Sequence, residues 1–283
     1  MKGKMSMKKL MFAAVALTAG FAMAEAIESD QIVGYVQAGK AEANQYVPLA
    51  TQFEELGGGD IAVKSAVTVD KPIYDSSWGA ADQIWRWNTA TATWTKYAYY
   101  VVPRSKPLEI FWTKIVDNKV EGTETTDTIP AGETFFFLRS AGATEPAALT
   151  LAGGVKNLSG ESSFAVTQNQ LAFVANPWPT EIVIKDFNQF VTDGELVYDS
   201  SWGAADQIWL WDTANATWTK YAYYVVPRSK PLQTFWTKIV DGKVEGTETE
   251  ETIPAGKGIF FQRSAGASAT VPLKVTFTLP ITK

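Results

Sequence analysis

The sequence predicts an all-β protein: two tandem, duplicated β-sandwich or barrel-like domains following an N-terminal signal peptide. Three observations predict it. Residues 74–143 recur as residues 198–267 at a constant offset of 124 positions without a gap, and twelve of the 70 aligned pairs differ. Self-similarity of this kind reports a repeated structural unit. Within each copy, aromatic, Thr and β-branched residues alternate with polar ones in short runs bounded by Gly, Pro, Asn and Asp, as strands do. Outside the first 24 residues, no apolar pattern of period 3.6 reaches helical length.

At the N-terminus, Lys2, Lys4, Lys8 and Lys9 precede an apolar run ending in Ala22-Met23-Ala24. A basic head, an apolar middle and small residues at the cut point make residues 1–24 a secretory signal peptide. The run is shorter than the ~20 residues of a spanning helix, so no membrane insertion is expected after cleavage. The first repeat domain is placed at residues 25–158 and the second at residues 159–283, joined through the polar stretch Lys-Asn-Leu-Ser-Gly-Glu at 156–161.

In chain order, residues 32–36, 46–50 and 61–69 read as short strands, the last preceded by Gly57-Gly58-Gly59. Residues 162–187 carry a diverged version of the same series, so the repeated unit is larger than its near-identical part. Residues 83–87 and 94–102 read as a hairpin with residues 88–91 as its turn. Trp85 and Trp87 point to one face and Ile84 and Arg86 to the other, because a strand has period two. Pro103 and Pro107 then interrupt the pattern. A second hairpin starts at residues 110–116 and turns at Asp117-Asn118, which is Asp241-Gly242 in the second copy. Both Asn and Gly tolerate positive φ there, and Asp-Gly between β-branched runs is a strong hairpin signal. Residues 134–139, Thr-Phe-Phe-Phe-Leu-Arg, are apolar on both faces and read as a central, covered strand. Each domain closes on a strand at 148–151 or 274–279.

Composition excludes several chemistries. The chain has no His and no Cys, so it holds no Ser-His-Asp triad and no conventional zinc, copper or haem site; no metal and no cofactor is expected. Four of the 25 Lys and Arg lie in the signal peptide, which leaves the remainder at about −9 against 30 acidic residues. An acidic chain without a basic block has no footprint for nucleic acid.

Tryptophan is the residue type that carries a binding hypothesis. Trp85, Trp87 and Trp112 are expected in the core, where one aromatic removes about 150 to 250 Å² from water. Trp78 and Trp94 sit beside turns. With Asp82, and with Trp202, Asp206 and Trp218 in the second copy, they form the candidate glycan-binding set: rings stack on a pyranose while carboxylates take its hydroxyls. A glycosidase would need two carboxyls roughly 5 to 9.5 Å apart, for which Asp75, Asp82, Glu121, Glu124 and Asp127 are available; loop charge is the simpler reading of these. The acidic run at 121–127 lacks the spacing of a calcium loop.

The stretches at 81–97 (ADQIWRWNTATATWTKY), 128–143 (TIPAGETFFFLRSAGA) and 252–267 (TIPAGKGIFFQRSAGA) resemble Trp-rich tandem β repeats of large uncharacterised secreted or surface proteins of bacteria. The resemblance implies export and repetition and brings no activity. Together these readings lead to an expectation of an exported, non-catalytic structural or adhesive protein of the cell envelope or extracellular space. Its expected partner is a cell-surface or extracellular polymer, or further copies of itself. A carbohydrate-binding module using the turn-borne Trp, and a carboxylate-dependent glycosidase, are the alternatives.

Overall fold

Strand succeeds strand from Val33 onward in a computed structural model that describes residues 33–51, 53–155, 162–178 and 180–277. The signal peptide and the join at 156–161 lie outside the described residues. The first copy contains β1 (Val33–Ala41), β2 (Tyr46–Ala50), β3 (Phe53–Glu54), β4 (Ile61–Ala62), β5 (Thr68–Val69), β6 (Gln83–Asn88), β7 (Thr93–Val101), β8 (Ile110–Val116), β9 (Lys119–Val120), β10 (Thr128–Ile129), β11 (Thr134–Leu138) and β12 (Ala147–Val155). The second contains β13 (Ser162–Val166), β14 (Leu171–Ala175), β15 (Ile182–Val183), β16 (Val191–Asp193), β17 (Gln207–Asp212), β18 (Thr217–Val225), β19 (Thr234–Val240), β20 (Lys243–Val244), β21 (Thr252–Ile253), β22 (Gly258–Gln262) and β23 (Leu273–Phe277).

Each copy is a sandwich. Six antiparallel strands in the order β2-β11-β6-β7-β8-β9 oppose a smaller sheet ordered β1-β12-β3, with β5 also on β12 and the pair β10-β4 at the side. The second copy repeats the large sheet as β14-β22-β17-β18-β19-β20, against β13-β23-β16 in which β16 takes the place of β5, with β15-β21 at the side; among the described residues β3 has no counterpart there. Both six-stranded sheets end in open edges, so the barrel alternative gives way to the sandwich.

The period of two decides which residues fill each core. Ile84, Tyr97, Trp112, Phe135 and Phe137 project from the large sheet onto Val63, Leu149 and Leu151. Ile208, Tyr221, Trp236, Ile259 and Phe261 do the same onto Leu273, Val275 and Phe277. Fully burying one such side chain stabilises by about 1.5 to 3 kcal/mol, which suits a domain without disulfides. The hairpin turns follow the sequence. Asp117 and Asn118 have φ of 49° and 58°, and Asp241 and Gly242 have 49° and 71°, the double positive φ that matches the strand twist.

Two expected strands, the one at 61–69 and its counterpart within 162–187, are corrected. The run Ile-Val-Ile-Lys-Asp-Phe starts as β15 but continues as a 3-10 helix, Ile184–Phe190. Its first-copy counterpart likewise breaks at a 3-10 turn, Val63–Ser65, between β4 and β5. In the helix, Phe187 and Phe190 lie three residues apart, the repeat of a 3-10 turn, and their rings meet at 6.4 Å over the core.

The outer faces of the two large sheets meet. Phe136, Phe173 and Phe260 form the buried centre of this seam, surrounded by Tyr46, Trp85, Trp87, Trp94, Leu171, Trp209, Trp211 and Trp218. Phe173 stacks on Phe260 at 4.4 Å and lies 5.0 Å from Phe136. Two indole contacts across it are reciprocal. The Trp87 Nε1–H donates to the Leu171 carbonyl at 2.6 Å, and the Trp211 Nε1–H donates to the Tyr46 carbonyl at 2.9 Å. Thr134 and Gly258 occupy the same repeat position 124 residues apart, yet they face each other across the seam. That contact, with the exchanged pair in which each copy's Trp reaches a carbonyl on the other copy's β14 or β2, makes the seam isologous in its main contacts, like the interface of a twofold dimer.

Candidate functional site

Asp82 and Asp206 are built into the interior. Asp82 is fully buried. Its Oδ1 accepts the Ser140 N–H at 2.8 Å, and its Oδ2 accepts the Ile73 N–H at 2.9 Å and Arg139 Nη1–H at 2.7 Å. Arg139 Nη1 also donates to the Lys71 carbonyl at 2.8 Å. Asp206 repeats the arrangement with Ser264, Val197 and Arg263, and is equally buried. Burial pushes both carboxyls up from the ordinary carboxylate range, while the backbone N–H groups and the guanidinium pull against it. With three donors on two oxygens beside an always-charged arginine, each is the anion of a buried ion pair at neutral pH. The expectation that these two aspartates take sugar hydroxyls is therefore corrected: each pins residues 71–82, or 195–206, to the end of β11 or β22.

Trp94 and Trp218 are half-buried and both belong to the seam. Trp94 packs against Trp85, Trp87, Phe136, Phe173 and Phe260, and Trp218 makes the matching contacts. A crevice of ≈ 280 Å³ runs along the seam and is lined by Tyr, Trp, Phe and Leu alone. Three of its five indole N–H groups are already used: Trp85 donates to Gln83 Oε1 at 2.8 Å, and Trp87 and Trp211 donate across the seam, which leaves those of Trp94 and Trp218. Lys96 lies over the Trp85 ring at 3.8 Å and Lys220 over Trp209 at 3.7 Å, a cation–π contact that covers the seam's rim. The crevice thus offers a sugar rings but few hydrogen-bond partners.

Trp78 and Trp202 remain at the surface, half-buried in single 3-10 turns. Trp78 donates its indole N–H to the Asn118 carbonyl at 2.9 Å, and Trp202 donates to the Gly242 carbonyl at 2.8 Å. The set is thus dispersed: Trp78 on an outer rim, Asp82 inside and Trp94 in the seam. The remaining carboxylates serve nearby loops. Asp75 Oδ1 accepts the Ser77 N–H, Glu124 faces Lys64, and Asp127 binds Tyr97 Oη at 2.8 Å and Lys114 Nζ at 3.0 Å. Burial works against ionisation of Asp127, but Tyr97, Lys114 and Arg86 hold its carboxyl below the ordinary range.

Sequence reasoning missed a cleft of ≈ 350 Å³ in the first sandwich, lined by Lys64, Val67, Val69, Tyr99, Ile110 and Trp112 among others. Among the described residues, no cluster of three or more Asp or Glu is placed to hold a metal ion, and no helix is long and apolar enough to cross a membrane. No family model, curated protein or solved structure matches the chain.

Proposed function

We propose that this chain is an exported, non-catalytic structural or adhesive protein of the cell envelope or extracellular space. In this reading, its two sandwiches present the same surface twice to a repeating polymer. The observation that carries the reading is the isologous seam. It uses the aromatic outer faces to lock the copies together and leaves the two Trp-bearing rims, Trp78 with Asn118 and Trp202 with Gly242, duplicated on one body. Two equivalent weak contacts to a repeating partner multiply rather than add. Burial of Asp82 and Asp206 in ion pairs supports the non-catalytic part, since neither can exchange a proton with a bound substrate. Carbohydrate is the polymer class favoured by the one observation that Trp78 and Trp202 keep part of their rings open to water.

Co-sedimentation with insoluble polysaccharides and purified cell-wall material tests the proposal. Binding should weaken modestly in Trp78→Ala and by roughly the square of that factor when Trp202→Ala is added. Absence of binding to every polymer, together with monodisperse single particles in electron micrographs, would remove both the adhesive and the self-assembling forms of the reading.

A further inference from the structure

The two copies differ at one place that bears directly on binding. In the second sandwich the 3-10 helix Ile184–Phe190 fills the mouth between the sheets. Phe187 is fully buried, with its ring 5.8 Å from Trp236. The Asn188 side chain bridges two core groups: its Nδ2–H donates to Tyr223 Oη at 3.0 Å, and its Oδ1 accepts the Trp236 Nε1–H at 2.9 Å. Tyr223 Oη also meets Thr234 Oγ1 at 3.0 Å.

The first sandwich keeps the receptor and lacks the plug. Tyr99 and Trp112 hold the same mutual position as Tyr223 and Trp236, with ring centroids 5.2 Å apart against 5.3 Å. The segment between β4 and β5 has five residues where that between β15 and β16 has seven, and it brings Ala66 and Val67 in place of two phenylalanines and an asparagine. The cleft of ≈ 350 Å³ is the space so left. Of the twelve differences within the near-identical part, one lies in its wall: Ile110 stands where the second copy has Thr234, whose hydroxyl meets Tyr223 Oη. Among the described residues, Tyr99 Oη and Trp112 Nε1 have no hydrogen-bond partner, whereas both equivalents in the second copy do.

We propose that this cleft is a binding site for a peptide segment of a partner protein carrying an aromatic residue followed by asparagine. The aromatic ring takes the apolar space beside Val67 and Ile110. The carboxamide accepts from Trp112 Nε1–H and donates to Tyr99 Oη, as Asn188 does within the second sandwich. The mouth carries the exposed Lys64–Glu124 pair, at 3.5 Å, which leaves room for polar flanks on the peptide. This inference stands apart from the polymer-binding reading, because it uses neither Trp78 nor Trp202.

The test uses the full chain and a capped synthetic peptide with the sequence of residues 182–191. Titration is followed by the indole N–H resonance of Trp112, identified by its loss in Trp112→Phe. We expect a saturable shift of that resonance. The same peptide with Asn replaced by Leu should bind about tenfold more weakly, and Tyr99→Phe, which keeps the ring, should lower affinity about fivefold, as loss of one or two hydrogen bonds requires. Replacing residues 63–67 by the sequence of residues 184–190 should plug the cleft and abolish the shift. An unshifted resonance at millimolar peptide, equal binding of the Leu peptide, or undiminished binding to the plugged variant overturns the proposal. So does a response to N-acetylglucosamine but not to the peptide, since its acetamido group offers the same amide from a sugar.

Discussion

Glycine at 258 is required by the seam, and restoring a side chain there tests the twofold arrangement directly. A Cβ at this position would lie 2.1 Å from Thr134 Cγ2, 2.2 Å from its Oγ1 and 2.5 Å from its Cβ, where carbon atoms prefer about 3.5 to 4.0 Å. Because the nearest obstacle includes a Cβ fixed to backbone, rotating a side chain does not relieve it; β11 and β22 must separate. Phe173 and Phe260, stacked at 4.4 Å beside them, then lose contact. Overpacking of this kind costs about 1 to 3 kcal/mol, which for a chain of this size lowers Tm by about 2 to 12 °C. Gly258→Ala should therefore destabilise by at least ~1 kcal/mol, measured by urea unfolding followed through tryptophan fluorescence. Thr134→Gly in the same chain should recover most of the loss, apart from the ~0.5 to 1 kcal/mol that glycine costs within a strand. The exchange Thr134→Gly with Gly258→Thr should fold about as stably as the parent, since an isologous interface does not record which partner carries the methyl. A neutral Gly258→Ala, or a Thr134→Gly that fails to rescue it, would refute the contact and the axis with it.

Other expectations follow from the same structure. Phe260→Ala should cost about 3 to 5 kcal/mol and split calorimetric unfolding into two transitions, whereas Phe261→Ala, one residue on but facing the second core, should weaken that sandwich and leave the seam intact. Asp82→Asn should cost about 3 to 5 kcal/mol by stranding Arg139, with Asp206→Asn matching it in the second copy; a loss below ~1 kcal/mol in denaturant would contradict the buried pairing. Asp127 has its carboxyl held below the ordinary range, so its contribution is present above the unfolded value near 4 and is lost as pH falls through the folded value. Tyr97→Phe removes one of the donors responsible and should flatten the fall in stability between pH 5 and pH 2; an unchanged slope would count against this assignment.

Much of the sandwich is legible in the sequence because local rules decide it. Alternation places Ile84 and Tyr97 in one core, the Asp117-Asn118 turn sets the hairpin, and Phe135, Phe136 and Phe137 betray a strand covered on both sides. The 3-10 helix at Ile184–Phe190 is hidden because its first residues also alternate; only the three-residue spacing of Phe187 and Phe190 signals it. The candidate site is less legible. Pairing of Asp82 with Arg139 spans 57 positions and depends on topology that no local pattern carries. Trp94 reads as turn-borne because its partner surface comes from the other copy. One signal was available: Trp85, Trp87, Trp94 and Phe136 all lie on the side of the sheet opposite the core, and that many rings on an outer face call for a second cover.

The copies have also diverged where the seam ends. Arg86 binds Glu133 at 2.9 Å in the first, while the second has Leu210 and Lys257 at those positions, and Lys257 reaches across to the Ala38 carbonyl at 3.4 Å. Burial lowers the Lys257 ammonium's affinity for its proton. Such one-sided substitutions are open to a pair encoded in tandem but closed to identical subunits, where every change appears twice.

That both halves of the seam sit on one polypeptide also governs when it closes. Two separate subunits with these faces would part as the protein became dilute, following mass action. Here each half meets the other at a local concentration set by the chain between them, so the joined state persists however sparse the molecule is in its surroundings.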